Sequence, residues 1–298
     1  MANVREIGRR ISTVRSLAQV TRAMQMVSAS RMRKAQERVL AARPYAEKTQ
    51  ELLRRLATAA GESSHPLLRA RPVRRLAIAL IASDRGLCGS YNSNVARLAL
   101  RYARQAGVPV SYVTVGSEAR RAVLAAGGEL LAEFGGIPSD LTIGFAAPIA
   151  RVLEEAFLAG EVDAAMVAYT EFRSVVSQVP KIIQLLPVLP VAPGDGAASE
   201  ARELAPNGGS RVEYIHEPAA GGILDTLVPQ SVEVAVLGCL LEAAASEHSA
   251  RMVAMQNATQ NASDQIEALT RAFNRARQTA ITGEILDIAS ATEAQRAG

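Results

Sequence analysis

Tryptophan is absent from this chain of 298 residues, and aromatic residues make up only 4% of it. With so few large rings, alanine and the aliphatic residues must fill the core. That suits closely packed helices better than a sandwich of sheets. Cysteine is scarce too. Cys88 and Cys239 lie far apart and form no CxxC pair, which argues against a disulfide framework and against a zinc site. A reducing compartment is expected. The lysines are Lys34, Lys48 and Lys181, and none follows a glycine-rich turn, so there is no Walker A loop. His65, His216 and His248 are scattered, no HExxH occurs, and no GxSxG elbow is present. "MANVREIGRR" has no apolar signal core, and no apolar run reads as long enough to span a membrane. A protein of a cytoplasm-like space is expected.

Acidic groups are missing from one end. From Met1 to Arg43 there are ten Arg or Lys against two Glu, whereas from Ser231 to the C-terminus there are five basic residues against eight acidic ones. A solvated helix face normally intersperses glutamates with its bases. The stretch "VTRAMQMVSASRMRKAQERVLAARPYA" does not, and it also carries Met24, Met26, Val27 and Met32.

What is present is helical periodicity at both ends. Val4, Ile7, Ile11, Val14 and Ala18 step by three and four. The seam then reads as shifting to Leu17, Val20, Met24 and Val27, and again to Met32, Ala35, Val39, Ala42 and Ala46. One helix with a drifting seam is expected, roughly 80 Å long at 1.5 Å per residue. Met252, Met255, Thr259, Ala262, Ile266, Leu269, Phe273, Ala276 and Ala280 form the cleaner heptad, after which the apolar positions move to Ile281, Ile285 and Ile288. Between the two helices the texture changes. "LAIALIAS", "VPVSYVTVG", "ELLAEFG" and "VDAAMVAYTEF" read as strands alternating with helices over 92–105, 117–126 and 147–159. "VPKIIQLLPV" and "RVEYIHEP" read as further strands, separated by a loop rich in Pro and Gly. The fold expected is α/β: a long antiparallel coiled coil of the N- and C-terminal helices, with an inserted Rossmann-like α/β domain. The boundaries are 1–60 for the first helix, 61–218 for the inserted domain and 219–298 for the second helix.

One loop invites a chemical interpretation. "SDRGLCGSYN" follows a strand and precedes a helix, where α/β folds bind ligands. Cys88 beside Asp84 and Arg85 would be the nucleophile. Yet the glycine spacing is not GxGxxG, and no histidine is near in sequence. A tight turn needing the positive φ of glycine is the favoured alternative. The basic run of Arg22, Arg31, Arg33, Lys34 and Arg38 could neutralise phosphates, but it lacks interleaved aromatics for stacking on single strands. A partner carrying acidic groups is the better expectation.

"VTRAMQMVSASRMRKAQ", "SDRGLCGSYN", "SEHSARMVAMQNATQNA" and "FNRARQTAIT" together resemble the γ subunit of F-type ATP synthases, in the order and spacing of that family. The stretch 116–210 resembles it only in texture. The resemblance implies a non-catalytic rotor shaft that needs no cofactor and no metal. Its coiled coil stands inside a ring of α and β subunits, and its α/β foot meets a membrane rotor ring of c subunits and the ε subunit. One copy per complex is implied, with no nucleic acid bound. The implied location is peripheral, on the cytoplasmic face of a bacterial plasma (inner) membrane. By position, Arg277, Gln278 and Thr282 match the family's upper shaft contacts with the ring, and Met24 faces the same region with Arg31, Arg33 and Lys34 near it. Arg251 matches a lower shaft position. Ile285, Leu286 and Ile288 match the tip that enters an apolar sleeve. Tyr214 and Glu217 match the foot's contact with the rotor ring and ε. Gly283 departs from the glutamine common there.

Overall fold

The computed structural model describes residues 2–60, 65–189 and 220–297. In chain order the principal elements are α1 Ala2–Ala60, β1 Leu76–Ile81, α2 Tyr91–Ala106, β2 Val110–Val115, α3 Ser117–Ala125, β3 Glu129–Phe134, α4 Ile143–Leu158, β4 Ala164–Phe172, β5 Gln178–Leu186 and α5 Ala220–Ala297. A single 3₁₀ turn spans Pro66–Leu68. The expected plan, an α/β module inserted between two long helices, is the one observed. The chain divides into two compact units, Met1–Ser30 with Arg251–Gly298, and Arg31–Ala250.

In the first unit the two helices pair. The α5 seam holds as the sequence predicts: Met255 and Ala262 are buried, and Ile266, Leu269, Phe273, Ala276 and Ala280 are half-buried. The α1 seam does not drift. It continues in one heptad register from Val4, Ile7, Ile11 and Val14 through Ala18, Thr21, Gln25 and Ser28. Leu17, Val20 and Val27, expected inside, are 52–56% exposed. Met32 and Ala35 stand in the same heptad further along α1, and each is 7% exposed. A stiff helix keeps one period, so the layers on either side outweigh local hydrophobicity. Burial of hydroxyls is tolerable because they are bonded. Thr21 Oγ1 lies 2.7 Å from Thr259 Oγ1 and also donates to the Ala18 carbonyl, while Thr259 Oγ1 can reach the Met255 carbonyl at 2.8 Å.

Gly8 sits against Phe273, and a methyl group added there would lie 3.6 Å from Cε2 of the ring, an ordinary contact. Gly8→Ala is therefore expected to stabilise the helix pair by about 1 kcal/mol through helix propensity. Thermal unfolding followed by helical circular dichroism checks this. A lower midpoint in the variant would show that Phe273 cannot make room.

In the second unit, five strands form one sheet in the order β3-β2-β1-β4-β5. β1 pairs in parallel with β2 and β4, and β2 with β3, while β5 runs antiparallel to β4. β1 is the central strand, and all six of its residues are buried. Its alternation supplies two layers. Ala77, Ala79 and Ile81 face a core with α4 and α5, including Ile149, Leu153, Val228, Val232 and Leu240. Leu76, Ile78 and Leu80 face a smaller core with Val95 and Ala99 of α2 and Val123 of α3. α4 begins a turn earlier than the pattern predicts, with Thr142 as its N-cap. One 18-residue window of α5 has a mean hydropathy of 1.5, enough by composition to cross a membrane, which corrects the expectation that no such run exists. The apolar face formed by Leu224, Val228, Val232 and Val236 is buried against the sheet.

Candidate functional site

The loop 82–90 leaves β1 beside β4, at the point where the strand order reverses and open α/β sheets bind ligands. Its polar groups are used internally. The Asp84 carboxylate accepts the N–H of Ser117 at 3.0 Å and of Ile137 at 2.7 Å. Ser117 Oγ donates to the Asp84 carbonyl at 2.8 Å. The Ser83 N–H donates to Asn92 Oδ1, and Asn92 Nδ2 donates to Ser83 Oγ and to Cys88 Sγ at 3.3 Å. Cys88 is 2% exposed. Hydroxyls from neighbouring helices also reach this end of the sheet. Tyr91 donates to the Ala243 carbonyl, Ser246 to that of Thr170 and Ser249 to that of Val175. A tight turn with positive φ is present, but its positive φ falls on Leu87 at 62° and Gly89 at 61°, not on Gly86. Gly116, where α3 begins, is required. Its φ is +92°, and an added Cβ would lie 2.4 Å from the Ala82 carbonyl oxygen.

The basic belt lies on the outer face of α1. Arg22, Arg31, Arg33 and Lys34 are exposed, and among the described residues they form no ion pair. Other bases of α1 do pair internally: Arg10 with Glu6 at 2.7 Å and Arg38 with Asp140 at 2.7 Å. Met24 is half-buried at the edge of the seam, beside exposed Val20 and Val27. Sequence periodicity places those two inside, and so misses a stripe of exposed apolar residues. Counting one heptad register through the polar positions would have found it.

On α5, Arg277, Gln278 and Thr282 are exposed, and Thr282 Oγ1 donates to the Gln278 carbonyl at 2.9 Å. Ile285, Leu286 and Ile288 are 60–67% exposed, although all three are apolar. Arg251 differs from these, being 8% exposed inside the chain. The structure thus brings the tip residues and Arg277 to one end of α5 but does not expose Arg251 with them. Tyr214 and Glu217, and the strand expected over "RVEYIHEP", lie outside the described residues. Among the described residues no cluster of His, Cys, Asp or Glu could hold a metal ion.

Two acidic groups of the second unit are shifted upward. Burial, with the nearby Glu171 carboxylate, raises Glu242, partly offset by Lys181, Arg43 and the Phe172 N–H. Burial, with the Glu233 carboxylate, pushes Glu154 up to about 7.

A sequence profile of the ATP synthase family matches residues 3–295. The ATP synthase gamma chain of Dehalococcoides mccartyi (strain CBDB1) is 45% identical over 290 residues, covering 97% of each chain. That of Pelotomaculum thermopropionicum is 42% identical over 288 residues, again covering 97% of each. Among solved structures, a chain of the Euglena gracilis mitochondrial ATP synthase (OSCP/F1/c-ring) superposes with a TM-score of 0.69 at 18% identity, covering 100% of this chain and 96% of that one. A chain of the Tetrahymena thermophila mitochondrial ATP synthase central stalk and c-ring gives 0.61 at 24% identity, covering 80% and 99%. These two show a shared fold. The two bacterial gamma chains and the matched profile, spanning nearly every residue, show that the chain belongs to the ATP synthase gamma chain family.

Proposed function

We propose that this chain is the non-catalytic central shaft of an F-type ATP synthase, carrying torque between an ion-driven membrane ring and the nucleotide sites of a surrounding α and β ring. The observation that carries this reading is the tip of α5. Ile281, Ile285, Leu286 and Ile288 are 46–67% exposed at the end of an otherwise well-paired seam. So apolar an end needs an apolar bearing. The uncompensated bases of α1 support the same reading. Arg22, Arg31, Arg33 and Lys34 face outward without internal partners among the described residues, ready for acidic loops of the ring in changing registers. Exposed pairs of that kind are worth under about 1 kcal/mol each, which suits contacts that must exchange. Arg277, Gln278, Thr282 and Met24 would meet the ring at the upper shaft. Tyr214 and Glu217 would meet the rotor ring and ε. One copy per complex is proposed, peripheral on the cytoplasmic face of a bacterial inner membrane. The non-catalytic role is supported by the loop at 82–90, whose groups bond within the chain.

The test is reconstitution with α and β subunits of the same source, native mass spectrometry of the complex, and ATP hydrolysis with and without the chain. One copy per ring and hydrolysis well above that of α and β alone are expected. The double variant Ile285→Asp, Ile288→Asp places two carboxylates in an apolar sleeve and is expected to weaken retention in the ring by at least about tenfold. An unstimulated ring that excludes the chain would end the proposal.

A further inference from the structure

Two contacts fix how the paired helices of the first unit align. Gly8 seats against Phe273, and Thr21 bonds to Thr259. In that antiparallel register the start of α1 at Ala2 lies level with residues of about 278–279 in α5. The α5 seam shrinks toward this point, from Phe273 through Ala276 and Ala280 to Gly283. Residues 284–292 are then all exposed, although α5 continues to Ala297. Gly283, half-buried, is therefore the last seam position before this exposed stretch.

Packing does not ask for glycine there. A Cβ at Gly283 would meet nothing within 4 Å, whereas at Gly8 it would meet Phe273. Glycine is the poorest helix former after proline. Beyond Gly283 the helix runs on for about four turns, a length that is marginal alone in water, and its described side chains, 284–292, pack against nothing. We propose that Gly283 is a hinge, at which the unpartnered end of α5, residues 284–297, bends and frays independently of the paired helices below it. Glycine lowers the local cost of bending, and the loss of the partner removes what would resist it. The use of the hinge, though not its existence, rests on the rotor reading. A tip that can tilt stays seated in a fixed apolar bearing while an imperfectly straight pair turns beneath it.

The experiment is hydrogen–deuterium exchange, resolved by fragment, on the full chain and on the reconstituted complex. In the full chain, exchange is expected to be slow over 266–280 and to become fast beyond Gly283. Gly283→Ala should slow exchange over 284–292 about fivefold while leaving 266–280 unchanged. Gly238→Ala, at another open helical glycine of α5, should leave the tip as it is. Uniform protection across 283, an unchanged tip in Gly283→Ala, or an equal effect from Gly238→Ala would each overturn the hinge. Failure of reconstitution with an intact exchange step would remove the rotor reading and leave the hinge standing.

Discussion

Replacing Arg71 by alanine is expected to destabilise the sheet-bearing unit by about 3 kcal/mol, the sum of two charge-assisted hydrogen bonds and a ring contact. Arg71 lies in the linker between the 3₁₀ turn and β1. Its Nη2 donates to the Phe157 carbonyl at 2.6 Å and to that of Val162. Its guanidinium carbon lies 4.3 Å from the centre of the Phe157 ring, and its Nε lies 3.0 Å from Asp163 Oδ1. Asp163 in turn accepts the N–H groups of Arg74 at 2.8 Å and Arg75 at 3.0 Å. The Arg74 N–H above all holds Asp163 below the usual carboxylate value, against some loss from burial. One arginine thus ties the linker leading to β1 to the end of α4 and to the turn into β4. Lysine cannot reproduce this, since it lacks the planar fork that serves several acceptors at once. Arg71→Lys should recover less than half of the loss. Chemical denaturation of the full chain measures both, and a loss below about 1 kcal/mol in Arg71→Ala would show that the linker holds without its staple.

Glu154→Gln is expected to remove a pH dependence from the same unit and to stabilise it at alkaline pH. Glu154 is on α4, half-buried, and its Oε1 is buried without a hydrogen-bond partner among the described residues. Burial first, then the Glu233 carboxylate of α5, lift it from an ordinary 4.5 to about 7, with Glu155 adding to the shift and Arg151 opposing it. The folded state therefore holds this proton more tightly than the unfolded state. The group imposes no penalty at pH values below about 4.5. Its penalty grows as pH rises through about 7 and is complete above that. A shift of this size corresponds to roughly 3 kcal/mol at most, and partial exposure brings the expected gain of Glu154→Gln at pH 8 nearer 2 kcal/mol. At pH 4 the variant and the natural chain should be nearly equal, and by pH 5 roughly a quarter of the difference should be present. Denaturation midpoints measured across pH 4 to 8 decide it: parallel curves for the two chains would mean that Glu154 is already solvated and ionised.

Much of the fold could be read from the residues in order. β1 was legible because six consecutive apolar residues, Leu76 to Ile81, have no use except in a strand buried on both faces. β2, β3 and β4 could be read from the same texture and from the glycines that separate them from helices. The α5 seam was legible because nothing polar interrupts it between Ala262 and Ala280 except surface positions. The exposed tip was legible too, since Ile285 and Ile288 leave the line of the seam. The stretch 17–28 of α1 was misread for a definite reason. Leu17, Val20 and Val27 are more hydrophobic than Ala18, Thr21 and Ser28, and periodicity weighs residues one at a time. The fold weighs whole layers, and a continuous helix cannot turn one stretch without turning its neighbours.

By itself, the order of residues determined the two terminal helices, the inserted sheet and the family, because these depend on local period and on long runs of matching residues. Tertiary structure alone decided which stripe of α1 faces inward, that Arg71 ties its linker to the end of α4 and the turn into β4, that Glu154 meets Glu233, and that Gly283 is the last seam position before the exposed end of α5. Each of those depends on distances between residues remote in the chain. Such distances are set by how helices and strands pack, and no local pattern encodes them.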